Sequence, residues 1–117
     1  MTAWDGKVFS DALNEDFLED LNTMDEEDIV EAVTDACRVV VSQDNPSEEE
    51  LANGLAAATI AAIWAGAPYY SGEIIERYPY IRDLIGETFA DLSAMASEIL
   101  ESVDAEEDVD TFLEALA

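Results

Sequence analysis

Histidine is absent from the 117 residues, and with it the commonest general base and metal ligand. That absence excludes Ser-His-Asp and Cys-His nucleophiles and the Glu-x-x-His sites of di-iron bundles. One cysteine, Cys37, is too few for an intramolecular disulfide, an iron–sulfur cluster or a cysteine-based zinc site. Cations are nearly as scarce. Lys7, Arg38, Arg77 and Arg82 stand against 29 carboxylates, for a formal net charge of −25. Phosphate contacts need lysine and arginine, so the chain is expected to repel nucleic acid and anionic membranes. The longest apolar run, "LAAATIAAIWAGA", is too short and too rich in alanine to span a bilayer. No basic-plus-apolar leader opens the sequence, which points to the cytoplasm. There is no glycine-rich phosphate loop, and the acidic clusters lack the spacing and turn glycine of an EF-hand. No cofactor is expected.

Half of the residues are hydrophobic, far above the composition of a disordered acidic tail. Strand signals are confined to the β-branched run Arg38–Val41, and that run lies inside a longer 3.6-residue period. Helix punctuation recurs throughout, so the sequence predicts an all-α compact single-domain bundle of about five to six helices. It covers residues 1–117, with an irregular N-terminal arm over about 1–10.

Ser10 is the expected cap of a first helix with Leu13, Phe17 and Leu21 on one face. Thr23 with Glu26 forms a capping-box pattern ahead of a helix whose stripe is Ile29, Val33, Ala36, Cys37 and Val40. Cys37 in that stripe reads as a buried structural thiol. Asn45, Pro46 and Glu48 start the next helix, with Ser47 and Glu50 as an alternative frame. Alanine on several faces of that helix implies close approach by several neighbours, so it is placed centrally, and Gly66 and Pro68 stop it. One short segment ended by Pro79 follows. A long helix then carries Ile81, Leu84, Ile85, Thr88, Leu92, Met95, Ala96, Ile99 and Val103. Asp104 with Glu107 caps a last helix.

Trp4 and Phe9 precede the first cap, where burying both rings would anchor the arm onto the core. The spacing Trp4, Gly6, Phe9, Asp16, Phe17, Leu21 resembles the N-terminal signature of the family called domain of unknown function 4259 (DUF4259). The alanine-rich helix stopped by Gly66 and Pro68 is similar to that family's middle helix. Asp5 stands where the family usually has glycine, and Asp11–Ala12 replaces its Asn-Asp step. The resemblance implies a small, helical, cytosolic bacterial protein and no particular activity.

Three functional readings follow. The first is a non-catalytic protein-interaction module of the inhibitor, immunity or nucleic-acid-mimic type. Its carboxylates would steer association toward a basic protein partner. A phosphate mimic would need its acids arrayed on one face. The second is a Mg²⁺-dependent all-α nucleoside-triphosphate pyrophosphohydrolase-like enzyme. Its candidate ligands are Glu73 with Glu76 and Glu101 with Asp104, since carboxylates three apart share a helix face. With a quarter of all residues acidic, such pairs also arise by chance. The third is a subunit of a homodimer or larger assembly, for which Tyr69, Tyr70, Arg77, Tyr78, Tyr80 and Arg82 are the interface candidates.

Overall fold

The computed structural model describes residues 8–43, 45–67, 72–87, 89–101 and 109–116, which form seven helices and no strand. They are α1 (Ala12–Leu21), α2 (Glu26–Ser42), α3 (Glu48–Trp64), α4 (Gly72–Arg77), α5 (Tyr80–Asp83), α6 (Ala90–Glu101) and α7 (Val109–Leu116). They pack as an all-α globule with a Cα radius of gyration of 12.5 Å. No described helix is long and apolar enough to cross a membrane. Trp4, Gly6, Pro68, Tyr69, Tyr70, Thr88, Val103, Asp104 and Glu107 lie outside the described residues.

The alanine-rich helix is central, as its all-round apolar sequence predicts. Every residue of α3 from Ala56 to Trp64 is buried, and α1, α2, α5, α6 and α7 all pack against it. Its start follows the Ser47 frame and not the Asn45–Pro46 frame. The Glu50 N–H donates to Ser47 Oγ at 3.1 Å, and the Ser47 N–H donates to Glu50 Oε1 at 2.9 Å. That reciprocal pair satisfies two donors that the first turn would otherwise leave open. The Ser47 N–H, with the Gln43 amide behind it, holds the Glu50 carboxyl below its ordinary pKa. At the other end Gly66, at φ +114°, turns the chain out of the helix. The Gly66 and Ala67 N–H groups donate back to the Ile63 and Ala62 carbonyls at 2.9 and 3.0 Å, a Schellman closure.

Within α3, Gly54 is the point where α2 comes closest. A Cβ there would fall well inside contact distance of Val40 Cγ2 and 3.4 Å from the Ala36 carbonyl oxygen. The absent side chain lets the half-buried Val40 lie directly on the α3 backbone. Ile29, Val33 and Cys37 extend the α2 stripe into the core.

Several local expectations change. The cap of α1 is Asp11, whose Oδ1 accepts from the Leu13 N–H at 2.9 Å, and not Ser10. This frame turns Asn14, Leu18 and Leu21 inward and leaves Phe17 half-buried and Leu13 exposed. Thr23 does not cap α2: its hydroxyl donates to the Asp20 carbonyl at the end of α1, and Asp25 is the N-cap of α2. The long helix expected from Ile81 to Val103 is broken in two. Gly86 adopts φ +103° and donates its N–H to the Trp64 carbonyl at 2.8 Å. This diverts the chain after α5 before α6 begins at Ala90. Splitting that helix into α5 and α6 gives seven helices among the described residues, one more than the five to six expected.

Gly54→Ala is therefore expected to destabilise the fold by about 1–2 kcal/mol, overpacking outweighing the ~1 kcal/mol gained in helix propensity. Val is stiff at χ1 in a helix, so Val40 cannot turn aside cheaply. In a Val40→Ala background the same change should become neutral or stabilising. Urea midpoints of the four proteins in this cycle test the contact, and equal Gly54→Ala costs in both backgrounds would disprove it.

Candidate functional site

Trp64 determines where the surface between α2 and α5 lies. It is fully buried at the end of α3. Its Nε1–H donates to the Tyr80 carbonyl at 3.4 Å, while its own carbonyl accepts from Gly86. The α5 segment is thus held at both ends by one residue. Tyr80 extends the tie to α1, its hydroxyl donating to the Leu18 carbonyl at 3.0 Å. The Asn22 amide donates to the Arg77 carbonyl at 3.0 Å, fixing the end of α1 to the end of α4.

Held this way, α5 and the turn after it face the N-terminal half of α2 across two open depressions. The first, about 210 Å³, has Leu21, Ile29 and Leu84 beneath it, with Met24, Glu26 and Asp83 at its edge. The second, about 270 Å³, is lined by Val30, Leu84 and Phe89, with Glu26, Glu27 and Glu87 around them. Glu26 and Leu84 belong to both, so the two form one groove with an apolar floor and a carboxylate rim. Met24 and Phe89 are 38% and 37% exposed there, large apolar side chains left partly in water. Sequence reading missed this groove, because its walls come from segments about sixty residues apart.

The residues singled out in the sequence distribute differently. Tyr78 and Tyr80 are in the core, with ring centroids 6.2 Å apart, so these two rings face the interior. Arg77 and Arg82 are exposed. Glu73, Glu76 and Glu101 are exposed as well, and among the described residues no three or more acidic, cysteine or histidine side chains are placed to hold a metal ion. Of the signature positions, Phe9 and Leu21 are buried, Phe17 is half-buried and Asp16 is exposed. Asn14 joins them unannounced. It is 1% exposed and its Nδ2 donates to the Val8 carbonyl at 2.9 Å, pinning Val8 and Phe9 onto α1. The signal was present in sequence: Asn14, Leu18 and Leu21 keep i, i+4, i+7 spacing.

Cys37 is fully enclosed, and burial pushes its thiol up to about 12. A group held protonated in this way is neither a nucleophile nor a ready metal ligand. Burial likewise drives the Tyr80 phenol far above its ordinary range.

A family model described as Domain of unknown function (DUF4259) matches residues 2–115. The match runs on through the last third of the chain, beyond the N-terminal signature and the middle helix that carried the resemblance in sequence. No curated protein and no solved structure matches.

Cys37 and Tyr80 make alkaline stability a test of this packing. Both are neutral when protonated and both have pKa values raised by folding. Their contribution is complete below the ordinary values of 9.0 and 10.0 and is lost as pH rises past them. The unfolding free energy should fall by at most ~1.4 kcal/mol per pH unit for each group. Tyr80→Phe should cost about 1 kcal/mol at neutral pH, from the lost bond to Leu18, and flatten the alkaline slope. A slope unchanged in that variant would place the phenol in solvent.

Proposed function

Since the chain belongs to the DUF4259 family, whose description names no activity, we propose that it is a non-catalytic protein-interaction module of the bacterial cytoplasm, drawn to a basic protein partner by its carboxylates. The supporting observation is the state of those carboxylates. Every described Asp and Glu is exposed except the half-buried Glu50. Among the described residues the one ion pair is Arg38 with Asp35, at 2.8 Å and on the surface. A surface pair of this kind is worth well under ~1 kcal/mol, so the negative field is left almost uncancelled.

The acids lie on all seven helices instead of forming one row. That distribution favours long-range steering of a cationic surface over imitation of a phosphate backbone. Inhibitor and immunity-type binding rely on the same steering, which speeds encounter and weakens as salt screens it.

The test is capture of binding proteins on the immobilised chain, followed by calorimetric titration of each captured protein after purification. The expected partner is basic, and its affinity falls steeply toward ~1 M salt, where the Debye length is about 3 Å. A partner without a basic surface, or an affinity indifferent to salt, would overturn the proposal.

A further inference from the structure

Resting on that reading, we infer that the groove between α2 and α5 is where the partner docks, and that it takes a basic peptide segment presenting large apolar side chains between lysines or arginines. Three features lead to this occupant. The floor is open and divided into two depressions, about 210 and 270 Å³, each with room for an apolar side chain. Met24 and Phe89 remain partly exposed beside the buried floor residue Leu84, so apolar surface is available to a ligand. Glu26, Glu27, Asp83 and Glu87 surround that floor, and none of them has an ion-pair partner among the described residues.

An apolar ligand alone would gain nothing from the rim, and a purely cationic one nothing from the floor. A segment carrying both matches both. A second copy of this chain is disfavoured as the occupant, because it would bring another net charge of −25 against the same rim.

The experiment titrates the full chain with two synthetic peptides of equal length and charge. One carries leucines i, i+4 apart among lysines; the other replaces the leucines with serine. Backbone amide NMR shifts locate the binding. The leucine peptide is expected to bind about tenfold tighter or more, with the largest shifts at Met24, Glu26, Leu84 and Phe89. In the Met24→Ser/Phe89→Ser variant the preference for leucine should vanish while the serine peptide binds as before. Both positions are partly exposed, so the variant should keep its fold, and circular dichroism checks this. The rim variant Glu26→Gln/Glu27→Gln should weaken both peptides and reduce their salt dependence.

Equal binding of the two peptides, with shifts spread over every helix, would overturn the groove and leave the charge-steering proposal standing. Binding of neither would overturn both. A dimer of the chain alone in sedimentation, abolished by Met24→Ser/Phe89→Ser, would give the groove to a second copy and overturn the peptide assignment.

Discussion

A helix enclosed by its neighbours must hand its terminal carbonyls to protein groups instead of water, and that requirement at the end of α3 organises the molecule. An unsatisfied buried carbonyl costs on the order of 1–3 kcal/mol. Here Gly66 and Ala67 close back on the last turn, and Gly86 is drawn in from the far side of α5 to meet the carbonyl of Trp64. The Trp64 ring nitrogen then holds Tyr80, whose hydroxyl holds Leu18. Three segments distant in sequence are thereby fixed relative to one another. The groove beside α5 is a by-product of the way α3 is sealed.

Inside and outside are sharply divided in this chain. Among the described residues the fully buried polar side chains are Asn14 and Thr59, while the charged groups are outside. The absence of histidine gives this division a chemical consequence. No side chain type with an ordinary pKa between about 5 and 8 remains to change charge. Salt, which screens exposed charge, is then the direct lever on the surface field.

Much of the interior was legible in the sequence. Alanine on several faces of α3 foretold its central place, and the stripe Ile29, Val33, Cys37 foretold the inward side of α2. What was not legible depended on choices between near-equal local signals or on tertiary contacts. Asp11 and Ser10 are adjacent and both able to cap, and selecting Asp11 shifted the buried face toward Asn14 and Leu18. Thr23 satisfied a capping pattern yet served the preceding helix. The periodicity from Ile81 onward looked continuous because apolar residues persist through the turn. The break comes at Gly86, whose positive φ no helix continues through and whose N–H meets a carbonyl more than twenty residues earlier. The groove is the extreme case, with Met24 and Phe89 brought near one floor by the fold alone.

Leu84 has two allegiances: it is 4% exposed, part of the core, and it floors both depressions. Loosening the core would therefore deform the groove, and filling the groove would brace the core. An occupant that binds only the folded chain stabilises it by about 2.7 kcal/mol at a hundred times its dissociation constant. In a cell, where proteases remove chains in proportion to how often they open, the free and occupied forms would differ in lifetime. Abundance of the protein would then follow the abundance of whatever it holds.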